Sequence, residues 1–231
     1  MREKDIQKYL WDKRKNFEDL IEKIDIPEKI KHEKPWEYTP SEIIYNILIE
    51  KYREMYEGIF NLSIFAYEVP LNKESDAAIR ADFLGVLNGR NGLAVVELKK
   101  SKQTERQAFT ELLAYGSHVR GVFAPMSKMD IAYILIAPMQ ERIVREATIQ
   151  NFIYDRNEIF ALIPIWQNDD LATLKLKPWI PSFEEVNALT VDCFSESNFD
   201  IFKVTWDALP GEWGNGQVFL DRKFKTIGVI C

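Results

Sequence analysis

Cysteine is nearly absent: Cys193 and Cys231 are the only two among 231 residues. They stand far apart and without metal-ligand spacing, which argues against a disulfide scaffold or a structural zinc and points to a reducing cytoplasm. A run of about 18 apolar residues is also missing, so neither a membrane span nor a membrane partner is expected. The opening stretch, MREKDIQKYLWDKRKN, carries charge throughout and has no apolar centre, unlike a signal peptide. There is no basic excess either. The formal charge of -6 counts against binding nucleic acid by overall charge, while leaving room for an enzyme with a local basic groove. His32 and His118, the two histidines, have no metal or general-base spacing and read as structural. Repeats and low-complexity segments are lacking, and the six tryptophans are scattered in the manner of core or interface residues.

What is present is enough apolar residue, 46% of the chain, for one domain with extensions. Ile6, Tyr9, Leu10, Phe17, Leu20, Ile21 and Ile24 recur at helical spacing, predicting an amphipathic helix over residues 3–24 that serves docking or dimerisation. Pro27 and HEKPWEYTP then read as a linker. A second helix starts at TPSE with Ser41 as N-cap and stops near Gly58. SIFAYEVPL and AIRADFLGVL read as strands, and NGRNG as a hairpin leading into a third strand, LAVVELKK. After Ser101 the spacing turns helical through Phe109, Leu112, Leu113, Gly116 and Val119. MDIAYILIAP reads as a central parallel strand. ATIQNFIYDR is a further helix and IFALIPIW a further strand. Beyond about residue 170 only short strands are expected, near 203–206 and 217–229.

Charge enters this core at one place. In LAVVELKK, residues 93, 95, 97 and 99 share a face, because side chains alternate along a strand. That face passes from Leu93 and Val95 to Glu97 and Lys99. Asp82 lies in the partner strand, so the hairpin brings two carboxylates together. Facing carboxylates repel and are tolerated when a divalent cation sits between them. Carboxylate oxygens plus water suit Mg²⁺, with Mn²⁺ as the alternative ion. Lys99 could orient a water or stabilise charge on a phosphate, which completes a kit for phosphodiester hydrolysis. Lys99, Lys100, Lys102 and Arg106 form a basic cluster beside it, where a phosphate backbone would pass.

RADFLG, a hairpin and VVELKK together resemble the PD-(D/E)XK nuclease superfamily, with Ala81-Asp82 in place of Pro-Asp and Glu97-Leu98-Lys99 as the E-x-K. SEIIYNIL, with Glu42 in the first helical turn, is similar to the acidic helix of the amino-terminal nuclease domains of type I restriction subunits. Glu50 is the competing acidic residue. RQAFTELLAYG looks like the helix that carries Q-x-x-x-Y in those domains and in RecB-like nucleases. Glu111 stands in the glutamine's place, Tyr115 in the tyrosine's, and Gln107 lies one turn earlier.

The resemblance spans roughly residues 40–140. It implies an α/β restriction-endonuclease-like three-layer core at 39–170, a central mixed sheet flanked by helices. An N-terminal helical extension at 1–38 and a C-terminal extension at 171–231 would flank that core. It further implies a Mg²⁺-dependent nuclease acting on DNA in restriction, defence or repair, with a homodimer or partner subunit left open. Asp82, Glu97 and the Leu98 carbonyl would hold the ion and Glu42 would complete its shell through water. Lys99 would position or activate the attacking water. Lys100, Lys102, Arg106, Gln107, Glu111 and Tyr115 would orient the site or substrate. The alternative is a catalytically inactive nuclease-fold module for nucleic-acid binding or protein assembly. A third reading is an enzyme using the same carboxylates for another Mg²⁺ reaction on a nucleotide.

Overall fold

The structure, a computed structural model, describes residues 2–70, 80–88, 92–122, 130–155 and 158–193. It divides into two compact units, one of residues 1–27 and 48–181, the other of residues 28–47 and 182–231. The first unit is α/β, with a six-stranded mixed sheet flanked by helices.

The sheet contains β1 (Leu62–Pro70), β2 (Arg80–Leu87), β3 (Gly92–Leu98), β4 (Asp130–Ile136), β5 (Glu158–Gln167) and β6 (Asp170–Pro178), neighbours in that order. β1, β2 and β3 are antiparallel, β3, β4 and β5 parallel, and β6 antiparallel to β5. β3 is a central strand, buried from Leu93 through Leu98. Its parallel step to β4 is made by α3 (Glu105–Val122), since parallel neighbours need a long crossover. Leu93 and Val95 pack with Ala108, Leu112, Tyr115 and Tyr133 in one apolar cluster. α4 (Arg142–Gln150) makes the next crossover and runs on into a π-helical turn, Asn151–Asp155.

Several elements differ from the sequence reading. The first helix, α1 (Glu3–Asp12), stops short of the expected span, and residues 14–20 continue as 3₁₀ turns broken at Asn16 (φ -130°, ψ 43°). The polar run DKRKN offers no apolar side chain to hold a helix there, and asparagine competes with it through its own side chain. α2 runs Pro40–Ile59, so Pro40 is its first residue. Its cap is Thr39 rather than Ser41. The Thr39 hydroxyl accepts from the Glu42 N–H at 3.3 Å while Glu42 Oε2 accepts from the Thr39 N–H at 2.7 Å, a capping box. The sheet continues past residue 170 into β6, through a two-residue turn in which Asn168 (φ 51°) and Asp169 (φ 54°) are both left-handed. That is the turn whose twist suits a tight hairpin. The centre of the NGRNG hairpin and the strands expected near 203–206 and 217–229 lie outside the described residues.

The second unit has its own contacts. Asn46 holds the Ile30 backbone by both N–H and carbonyl, at 2.8 Å each. Tyr45 meets Phe183 of α5 (Phe183–Cys193) edge-on.

Gly116, in α3, is required by packing. A methyl there would stand 2.1 Å from Tyr133 Cε1 and 2.3 Å from its hydroxyl oxygen. Gly116→Ala is therefore expected to lower stability by about 1–3 kcal/mol, the usual penalty of overpacking. Urea denaturation would show it as a lower midpoint at unchanged slope.

Candidate active site

Three of the charged residues singled out in the sequence meet where β2 begins and β3 ends. Phe83 pairs with Val96, which in an antiparallel ladder sets Asp82 opposite Glu97. Glu97 is 1% exposed and Asp82 9% exposed. Asp82 Oδ2 accepts from the Leu98 N–H at 2.7 Å, and Asp82 Oδ1 accepts from the Gln7 carboxamide of α1. Glu97 Oε1 receives the Lys99 ammonium at 2.7 Å, and its second oxygen, Oε2, is buried without a hydrogen-bond partner.

α3 supplies the other wall. Glu111 Oε2 lies 3.1 Å from Lys99 Nζ, and Glu111 Oε1 accepts from Gln107 Nε2 at 2.7 Å. Tyr115, one turn on, is buried among Val95, Leu112 and Tyr133. Gln107 thus orients Glu111, and Glu111 shares Lys99 with Glu97. From α1, Glu3 Oε2 accepts from the Lys100 N–H at 3.2 Å, and Glu3 Oε1 is 3.9 Å from Lys99 Nζ.

The electrostatics follow from crowding. Burial first, and then nearby acids (Asp82 at Glu97; Glu3 and Glu111 at Asp82), raises both carboxyls well above the ordinary carboxylate range. The Leu98 N–H at Asp82 and the Lys99 ammonium at both offset this only in part. Burial alone would lower Lys99, but Glu97 and Glu111 outweigh it and hold the ammonium charged. Burial opposes ionisation of Glu111, yet Gln107 and Lys99 prevail and hold it low. Tyr115 is raised by burial and then by Glu97 and Glu111, so it stays a neutral hydroxyl.

The expected basic cluster is differently arranged. Lys102 and Arg106 both reach Glu141, at 3.4 and 3.1 Å. Both cations are thus matched by an acid ahead of α4 that sequence reading did not connect to them. Glu105, fully buried, is a second such case: its carboxylate accepts from the Gln140 N–H at 3.0 Å and the Glu141 N–H at 2.8 Å. Glu42 is engaged in the second unit, by the Thr39 N–H first and by His32 Nε2 at 3.1 Å, and these hold it low. Gln7 went unnoticed because it reads as one polar residue in a charged helix. The available signal was its position between Ile6 and Leu10, both of which are fully buried.

Among the described residues no group of three or more His, Cys, Asp or Glu is gathered as a metal cage. Two carboxylates with one free buried oxygen nevertheless fit Mg²⁺, which takes one or two carboxylates and keeps several waters. Asp82, Glu97 and Glu111 also exceed Lys99 by two charges when all are ionised. Among the described residues, no helix is long and apolar enough to cross a membrane. No protein-family model, curated protein or solved structure matches the chain.

The raised pair predicts a pH dependence. The folded protein keeps protons that an unfolded chain releases near pH ~4. Stability of the metal-free protein should therefore fall as pH rises from there through the neutral and mildly alkaline range, until both carboxyls ionise in the fold. Glu42 and Glu111, held low, act in the opposite sense, and their contribution is lost on acidification. Thermal melts in EDTA across this range would show the decline, and excess Mg²⁺ should flatten it. A melting temperature constant from acid to mildly alkaline pH would contradict the buried pair.

Proposed function

We propose that this chain is a Mg²⁺-dependent nuclease that hydrolyses DNA phosphodiester bonds on a restriction-endonuclease-like core. The observation that carries the reading is Glu97: a carboxylate 1% exposed, opposite Asp82, with one oxygen on Lys99 and the other buried where no N–H or hydroxyl donor reaches it and only the Glu111 carboxyl is near. A buried acceptor left unmatched is costly unless something fills it. Asp82, Glu97 and the Leu98 carbonyl are the groups that would hold the ion. When bound, Mg²⁺ would supply positive charge at the phosphate and lower the pKa of water.

The chain's own side chains supply the remainder. Lys99, kept as an ammonium by two carboxylates, is a donor rather than a base, and would stabilise charge on the phosphate or orient the attacking water. In the reaction a water oxygen bonds to phosphorus, a phosphorus–oxygen ester bond breaks, and the departing oxygen takes a proton. Glu111 and Gln107 would keep Lys99 aligned, and Tyr115 would close the site on the α3 side.

One observation favours the inactive binding or assembly module instead. Lys102 and Arg106 are already matched by Glu141, which weakens the attraction this face offers a phosphate backbone. Incubation with circular and linear DNA, with Mg²⁺ or Mn²⁺ and with EDTA, decides between them. Metal-dependent cleavage supports the nuclease. No cleavage of either form, together with no calorimetric binding of either ion, would favour the module.

A further inference from the structure

We propose that Gln7 is a positioning residue of the active site and that α1 is a wall of that site, a proposal that rests on the nuclease reading above. Gln7 lies between Ile6 and Leu10, both fully buried, and is itself only 6% exposed. Burying a carboxamide is unfavourable unless it is hydrogen-bonded. This one is, to a residue 75 positions away: its Nε2 donates to Asp82 Oδ1. The Leu98 N–H takes the other oxygen, Oδ2, at 2.7 Å. The Asp82 carboxylate is thus held at both ends and cannot rotate about its terminal bond.

Each carboxylate oxygen has two lone pairs. One on each is taken by Gln7 and by Leu98, and one on each is left for an ion or its water. A hydrocarbon at position 7 would free the carboxylate to turn, and a glutamate would set a further negative charge against it. Glutamine supplies a donor without charge.

The helix makes a second contact from the same face. Glu3 is four residues before Gln7, the spacing that aligns side chains on one stripe. Its carboxylate accepts from the Lys100 N–H at 3.2 Å and stands 3.9 Å from Lys99 Nζ. One stripe of α1 therefore reaches β2 through Gln7 and the end of β3 through Glu3. Trp11 stacks on Tyr67 of β1 at 5.6 Å, and Tyr67 stacks on Phe83 beside Asp82.

The test uses the full chain with Gln7→Met, which keeps the bulk and removes the donor, and Gln7→Asn, which withdraws the amide by one methylene. Calorimetric affinity for Mn²⁺ and the Mg²⁺ concentration giving half-maximal cleavage are measured for each, with melts in EDTA as the control for folding. Loss of a group that orients a metal ligand costs about 10- to 100-fold in metal affinity. Both midpoints should shift by that factor, with cleavage largely recovered at saturating metal and the KM for DNA unchanged. In the metal-free native protein, the Gln7 side-chain amide protons should exchange slowly. A purely structural role would lower the melting temperature without moving either metal midpoint. Unchanged midpoints in whichever variant folds, beside an active native protein, would overturn the role of Gln7 alone. A native protein that neither cleaves DNA nor binds Mn²⁺ overturns the nuclease reading, and this role with it.

Discussion

Glu97→Gln should abolish metal-dependent cleavage and at the same time make the metal-free protein more stable. The two effects have one cause. Glu97 is buried with one oxygen unmatched, next to Asp82 and near Glu111. Without an ion, the fold must either protonate it or keep a poorly compensated charge. A glutamine keeps the size, removes the charge and can donate toward Glu111. Replacing buried charge by a neutral group of similar volume is often stabilising by about 1–4 kcal/mol. The lower half of that range is expected, since Glu97 also forfeits its 2.7 Å contact with Lys99. Activity should drop on the order of 10³-fold, the scale of losing a central electrostatic group. The gain in stability should be largest at mildly alkaline pH and vanish in acid, where the native carboxyl is protonated. A Glu97→Gln protein that is inactive but less stable at alkaline pH would mean that Glu97 is a structural ion-pair partner, not a site held in readiness for a cation.

Lys99→Met should give the same loss of cleavage with the opposite effect on the fold. The Lys99 side chain is 12% exposed and lies against Glu97 at 2.7 Å and Glu111 at 3.1 Å. Removing it strands both acids in a poorly solvated place, and breaking a buried pair from one side costs about 3–5 kcal/mol. Acidification should relieve that cost by protonating the stranded carboxyls, and Mg²⁺ should relieve it by supplying positive charge. Activity should again fall on the order of 10³-fold. Chemical denaturation at acidic and alkaline pH, with and without Mg²⁺, tests all three. A variant that loses activity while its stability is unchanged at every pH would show that Glu111 and Glu97 do not depend on Lys99 for neutralisation. Taken together, equal loss of activity with opposite changes in stability would separate an electrostatic site from ordinary packing.

How much of this was legible in the sequence depended on how local each relation was. The β2–β3–α3–β4 order could be read because alternation, helical spacing and the Asn-Gly steps all act over short stretches. The pairing of Asp82 with Glu97 needed only one hairpin. β6 was missed because its turn is Asn-Asp rather than Asn-Gly and its alternation is short, Leu174 and Leu176 between lysines and then Pro178, with an irregular first half. α5 was lost among the prolines that precede it. The contacts of Gln7 and Glu3 were out of reach for a different reason. They join residues 75 and 97 positions apart, and nothing in the local pattern of α1 distinguishes a stripe that meets a site from one that meets a partner. Glu105 and Glu141 were illegible likewise: the acids that organise the start of α4 read as surface charge.

The arrangement at Glu141 bears on how this face would respond to ionic strength. Lys102 and Arg106 already spend their charge on one carboxylate. A phosphate arriving there would not find condensed ions to drive from bare cations; it would compete with an acid for them. The gain would be an exchange of one anion for another, with few counterions released to solution. Such a surface trades reach for discrimination. It would hold a polyanion only where the chemistry at its centre adds to the grip, and raising the salt would loosen that hold less steeply than the four neighbouring cations in the sequence suggest.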